Sequence, residues 1–176
     1  MCILTKEEQR KIARENLNKM SYFDRSFKSQ MIVSDIINSK LINNHSHILL
    51  YKAMITEVNI DWLLEFAMTY GKQCYLPRVN GDNIELVKYP CRLQKGAFGI
   101  LEPVGEAVET NIDLCIVPVL AVDKDNNRLG KGKGYYDRFF AKFPNCKKVA
   151  VAFREQQFDS IATEKHDVKM DEIFVR

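Results

Sequence analysis

Between Arg128 and Phe140 the chain reads RLGKGKGYYDRFF. Gly130, Gly132 and Gly134 alternate with Lys131 and Lys133, and Tyr135, Tyr136 and Asp137 follow. Glycine at every second position removes Cβ where the chain must turn tightly, or where main-chain N–H groups must come close to something. The two lysines make an anion the natural ligand. If the loop follows a strand and feeds a helix, its free N–H groups and the positive end of the helix dipole converge on one spot, an anion site by geometry. A flexible basic turn is the competing reading, and the loop alone leaves both open.

Spacing tests two named phosphate loops. A Walker A loop needs a hydroxyl after its lysine, and Lys133 is followed by Gly134. A dinucleotide fingerprint needs G-x-G-x-x-G directly after a strand, whereas these glycines form G-x-G-x-G well beyond Val122. Glu155, after a later strand, mimics the ribose-binding acid of such folds and keeps a nicotinamide-dependent oxidoreductase as a second reading. Asp137 falls in the first turn of the expected helix, where the dipole alone stabilises a carboxylate. It could equally share a magnesium ion with bound phosphate.

The elements around the loop follow from pattern. Thr5 and Glu8 have the form of a capping box, predicting a helix over residues 5–20. Apolar residues at helical spacing predict a second helix over 24–39, and another over 60–70 stopped by Gly71. Strands are expected at 47–53, 74–79, 84–89, 114–122 and 148–153, with a turn at Asn80-Gly81-Asp82, a helix over 135–143, and a last strand after Asp171. Apolar strands alternating with helices point to one α/β domain whose sheet is covered on both faces.

With 26 basic and 23 acidic residues the net charge is only +3, which argues against a nucleic-acid partner, including an RNA-binding reading with Tyr135 as a stacking platform. Five scattered cysteines without a C-x-x-C pair read as buried thiols in a reducing cytoplasm. The longest apolar run, 114–122, is far too short to span a bilayer, and the charged start is unlike a signal peptide. A cytoplasmic protein without a membrane partner is the expectation.

The run DLCIVPVLAVDKDNNRLGKGKGYYDRFF from Asp113 resembles the signature region of the 5-formyltetrahydrofolate cyclo-ligase family, also called methenyltetrahydrofolate synthetases. KEEQR, MITEVNIDWL, CYLPR, FGILEP and HDVKMDE match in the same order, so the resemblance covers essentially the whole of residues 1–176. It implies a single three-layer α/β/α domain with a mostly parallel, Rossmann-like sheet. It also implies ATP-dependent conversion of 5-formyltetrahydrofolate to 5,10-methenyltetrahydrofolate with Mg2+, and small-molecule substrates handled by a monomer. The ATP site implied is Lys6 and Arg10 with Arg128, Leu129, Gly130, Lys131, Gly132, Lys133, Gly134, Tyr135 and Tyr136. Met54, Glu57 and Phe98 would meet the folate, with Lys131, Gly132, Lys133, Gly134 and Tyr135. Lys133 and Asp137 are the expected catalytic residues, and Asp137 and Asp171 the expected metal ligands. Arg14 shares a helical face with Lys6 and Arg10 but reads as a solvated charge. His166 and Asp167 would point to opposite faces of an extended chain, so a structural role is expected for them.

Overall fold

A computed structural model describes residues 4–96 and 99–176. Helix α1 (Lys6–Lys19) opens on the expected capping box: the Glu8 N–H donates to the Thr5 hydroxyl at 3.3 Å, and the Thr5 N–H donates to the Glu8 carboxylate at 2.8 Å. Helix α2 (Tyr22–Asn38) starts before residue 24 because Ser21 caps it, accepting from the Asp24 N–H at 3.0 Å. Helix α3 (Asp61–Thr69) is closed by Gly71 in the left-handed conformation, φ +71°. Helix α4 (Tyr135–Lys142) follows the glycine loop.

In chain order the strands are β1 (His47–Leu49), β2 (Gln73–Asn80), β3 (Asn83–Tyr89), β4 (Arg92–Lys95), β5 (Leu101–Val104), β6 (Leu114–Pro118), β7 (Ala121–Asp123), β8 (Arg128–Leu129), β9 (Lys147–Ala152), β10 (Gln157–Phe158) and β11 (Glu172–Val175). A six-stranded sheet has the order β11-β9-β6-β1-β2-β3, parallel except for the β2–β3 hairpin at one edge. β7, β8 and β10 form a small second sheet, and β4 and β5 a separate hairpin.

Successive strand residues serve opposite faces. Ile48, Leu76, Leu114, Ile116, Val149 and Val151 share a core with Leu17, Ile32, Ile36, Leu63 and Leu64 of α1 to α3. Their neighbours Leu49, Tyr75, Cys115, Val117, Ala150 and Ala152 belong to a second core beneath Phe139 and Phe140 of α4. Helices therefore cover both faces of a mostly parallel sheet, the three-layer arrangement expected, and each fully buried Leu or Ile contributes roughly 1.5–3 kcal/mol.

The apolar run over 114–122 is two strands, not one. After Pro118 the chain leaves the large sheet, and the Val119 and Leu120 carbonyls accept from the buried Gln156 amide at 2.7 and 3.2 Å. β1 is likewise shorter than predicted, because the chain turns away after Leu50 towards Glu57.

Asp123 organises the turn that delivers Arg128. Its buried carboxylate accepts from the N–H groups of Asp125, Asn127 and Ile161 at 2.8–3.0 Å and from the Asn127 side chain at 2.9 Å. Burial alone would raise its pKa, but the Asn127 amide and the three backbone donors together hold it below the ordinary 3.8. A folded-state value below the unfolded one stabilises the fold above the unfolded value, and the benefit is lost as pH falls through the folded one. Asp123→Asn should lose about 2–3 kcal/mol in urea unfolding at pH 7, and its deficit relative to wild type should shrink below about pH 4. A deficit that persists undiminished in acid would remove the carboxylate charge from this account.

Candidate active site

The glycine loop lies between β8 and α4, at the ends of the parallel strands where open α/β sheets leave a crevice. Gly132 (φ +100°) and Gly134 (φ +67°) both occupy the left-handed region, and Gly134 is the N-cap of α4. The backbone from Gly130 to Gly134 borders a cavity of about 590 Å3, whose wall also includes Lys6, Arg10, Arg128, Leu129, Tyr135, Tyr136 and Asp137. A Cβ on Gly132 would stand 3.3 Å from the Arg10 guanidinium carbon, so helix α1 and the loop are packed closely across the cavity. Arg10 Nε donates to the Gly130 carbonyl at 3.1 Å.

Lys6, Arg10 and Arg128 of this cavity are each paired with a carboxylate. Lys6 Nζ lies 2.6 Å from Asp167 and 3.1 Å from Glu164. Burial would lower the Lys6 ammonium, but the two carboxylates outweigh it and raise it above the usual 10.5. Arg10 reaches Glu7 at 3.2 Å, and Arg128 reaches Asp137 Oδ1 at 2.6 Å. The same Asp137 oxygen accepts from the Val168 N–H at 3.2 Å, which fixes the segment carrying Asp167 against the loop.

A second cavity, of about 250 Å3, adjoins the first and shares Glu57, Pro118, Lys131, Tyr135 and Tyr136 with it. Its remaining wall is mainly apolar, including Tyr51, Met54, Leu76, Pro77, Ile84 and Pro103. Glu57 is its carboxylate at the junction, accepting from Lys131 Nζ at 2.7 Å and from the Met54 N–H at 2.8 Å. Burial, followed by Cys115 and the Glu57 carboxylate, pushes the Tyr136 phenol well above its usual 10.0, so it stays neutral beside that acid.

Most sequence-predicted residues thus converge, and Lys133 lines the first cavity with its loop neighbours. Asp171 does not. Its carboxylate accepts from the Lys148 N–H at 2.7 Å at the start of β9, whereas the loop borders the opposite ends of the strands, and Asp171 lines neither cavity. From this part of the chain it is Asp167, with His166 and Glu164, that lines the first cavity. The extended-chain argument fails there because residues 165–166 form a turn, closed by the Asp167 N–H donating to the Glu164 carbonyl at 3.0 Å. One ligand atom from each of Glu164, His166 and Asp167 lies within 4.8 Å of the others. The HDVKMD segment offers two aspartates, and nothing local distinguishes them. Glu155 pairs with Lys28 and lines neither cavity, which removes the support for a ribose-binding acid. Arg14 stays outside, 3.9 Å from Glu7. Phe98 lies outside the described residues.

A model of the 5-formyltetrahydrofolate cyclo-ligase family matches residues 3–176. The chain belongs to that family. It is 29% identical over 178 aligned residues to the mouse 5-formyltetrahydrofolate cyclo-ligase, covering 91% of this chain and 88% of that protein. The NMR structure of a 5,10-methenyltetrahydrofolate synthetase from Aquifex aeolicus superposes with a TM-score of 0.83 at 31% identity, covering 98% of this chain and 90% of that one. For the 5,10-methenyltetrahydrofolate synthetase from Mycoplasma pneumoniae the TM-score is 0.78 at 25% identity, covering 97% and 98%.

In this cyclo-ligase-family chain the Arg128–Asp137 pair joins the two ends of the loop with side chains only 6% and 18% exposed. Removing one member leaves the other charge unpaired, which costs about 3 kcal/mol for a pair so buried. Arg128→Met should therefore destabilise by about that amount, and Arg128→Met with Asp137→Leu should recover most of it. Chemical denaturation of the two singles and the double checks this, and additive losses would show that the pair does not act as a unit.

Proposed function

We propose that this chain catalyses ATP-dependent cyclisation of 5-formyltetrahydrofolate to 5,10-methenyltetrahydrofolate, with release of ADP and phosphate. The observation that carries the reading is the joined pair of cavities: one walled by the glycine loop and by cations with their partner carboxylates, the other mainly apolar with Glu57 at the junction. A polyphosphate suits the first. A flat reduced pterin, whose ring N–H and amino groups need an acceptor, suits the second.

A formamide oxygen is a poor leaving group. Transfer of the γ-phosphoryl group to it makes an iminium-like phosphate, N10 attacks the formyl carbon and loses its proton, and phosphate departs with the former formyl oxygen. Such transfer asks the protein for positioning and charge neutralisation rather than a nucleophile. In this reading Lys6, Arg10 and the loop N–H groups from Gly130 to Gly134 hold the phosphates. Lys133 stabilises the transferring group. Glu57 accepts from the pterin, while Met54 and Tyr135 wall the ring.

Magnesium takes hard oxygen donors, usually one or two carboxylates with phosphate and water completing the shell. Asp137 and Asp167 fit that requirement: Asp137 Oδ2 has no protein hydrogen bond among the described residues, and the Val168 N–H ties Asp167's segment to Asp137. When bound, the ion neutralises phosphate charge. The working unit in this reading is a monomer. Buried free thiols at Cys74, Cys115 and Cys146 suit a cytoplasmic setting, and among the described residues no helix is long and apolar enough to cross a membrane.

Purified protein should form the methenyl chromophore only when ATP, magnesium and 5-formyltetrahydrofolate are all present, and turnover without ATP would overturn the reading. Gly132→Val places a branched side chain at φ +100° against Arg10, and should abolish nucleotide binding in calorimetry while circular dichroism stays native. The metal assignment has its own test. Asp137→Asn and Asp167→Asn should each slow turnover at least about ten-fold and raise the magnesium needed for half-maximal rate, with a double variant little worse than the poorer single. Asp171→Asn should leave the magnesium titration unmoved, and a rightward shift in that variant would return Asp171 to the site.

A further inference from the structure

Lys131 belongs to both cavities at once, and its ammonium faces an acceptor in the second. Its Nζ donates to Glu57 Oε1 at 2.7 Å and touches the Met54 sulfur, while the other Glu57 oxygen accepts from the Met54 N–H. The exposures are unequal: the Glu57 side chain is 9% exposed and that of Lys131 48%. A carboxylate this enclosed needs a donor, because an unpaired charge out of water is strongly destabilised. The lysine has no such need. Its long, hydrated stem can swing, and its neighbours Gly130 and Gly132 leave the backbone free to follow.

We infer that Lys131 couples the two sites, standing in for the pterin's donors on Glu57 in the free protein and turning to the phosphates once the pterin has taken its place. The inference rests on the proposed assignment of nucleotide and pterin to the two cavities. Nucleotide arriving first could recruit Lys131 only by stranding Glu57, so it meets a loop with one cation withheld. With the pterin seated, its N–H groups satisfy Glu57 and the ammonium is released at the shared wall, within reach of the phosphate cavity. Each ligand therefore favours the other, and the coupling must be the same in both directions. The arrangement also keeps the phosphate clamp incomplete until a formyl oxygen is present to receive the γ-phosphoryl group.

The test uses the full chain, Mg2+ with β,γ-imido-ATP, which cannot transfer its phosphoryl group, and 5-formyltetrahydrofolate, with affinities read by calorimetry. In wild type, saturating folate should tighten the nucleotide by about five- to a hundred-fold. In Lys131→Met that ratio should fall to near one. Its folate affinity should equal or exceed that of wild type, because the competitor for Glu57 is gone. Glu57→Gln, which loosens the hold on Lys131, should bind nucleotide alone more tightly than wild type does, although the substitution lies in the folate cavity. A wild-type ratio near one, an undiminished ratio in Lys131→Met, or weaker folate binding in that variant would overturn the coupling and leave the two sites assigned. Failure of wild type to bind either ligand would overturn the site assignment, and the coupling with it.

Discussion

On the proposed reading the glycine loop must keep its N–H groups unpaired and still hold one shape, and the ion pair between Arg128 and Asp137 is what reconciles those demands. Arg128 ends the approach to the loop and Asp137 stands in the first turn beyond it, so their 2.6 Å contact closes residues 129–136 like a clasp. Arg128 also lies 5.9 Å over the Phe140 ring, which anchors the clasp to the core under α4. Asp137 gains further from the positive end of that helix. Upstream, the Asp123 turn aims β8, and Gln156 holds the Val119 and Leu120 carbonyls where the chain leaves the sheet. The cavity wall is therefore suspended from the sheet by three buried polar devices, and its exposed backbone does not have to satisfy itself.

The fold was legible where periodicity and capping agreed. Thr5 with Glu8, the apolar spacing of α2 and α3, and the Asn80-Gly81-Asp82 turn each specify their element locally, and β2 and β3 pair as that turn requires. The misses have tertiary causes. Residues 114–122 read as one strand because both halves are apolar, yet the second half pairs with β8 and β10, partners that have only two residues each and no pattern of their own. The β4–β5 hairpin is mostly exposed and carries no alternation strong enough to announce it.

The candidate site divides in the same way. The loop carries its own signature of composition and spacing, whereas Lys6, Arg10 and Glu57 were singled out by the family resemblance, since spacing alone favours a solvated face for the two cations; all of them line the first cavity. Asp167 was passed over because its position depends on the turn at residues 165–166 and on the Val168 N–H reaching Asp137, neither of which local sequence specifies. Asp171, only one turn of sequence away, is instead used to fasten β11 beside β9. Four residues of extended chain reach about 13–14 Å, enough to carry Asp171 out of the cavity that Asp167 lines, so distance along the chain was a poor guide to distance from the loop.

The modest net charge of the chain conceals how the cavity is wired. Lys6 rests on Asp167 and Glu164, Arg10 on Glu7, Arg128 on Asp137 and Lys131 on Glu57. Each of these four cations faces a carboxylate, which leaves Lys133 as the cavity cation without a carboxylate partner among the described residues and weakens the field a polyanion would follow. On the proposed reading, binding is then an exchange of partners. Phosphate oxygens compete for Lys6 and Arg10, and the Asp167 carboxylate that Lys6 leaves joins the free Asp137 oxygen as the hard oxygen donors that a divalent ion carried in with the nucleotide requires, while Arg128 keeps its hold on Asp137. A nucleotide stripped of its metal would draw Lys6 away and leave Asp167 without its cation. The same pairings that neutralise the empty cavity thus favour the metal-bound nucleotide over the bare one, and the preference arises from the protein's carboxylates rather than from any contact with the base or sugar.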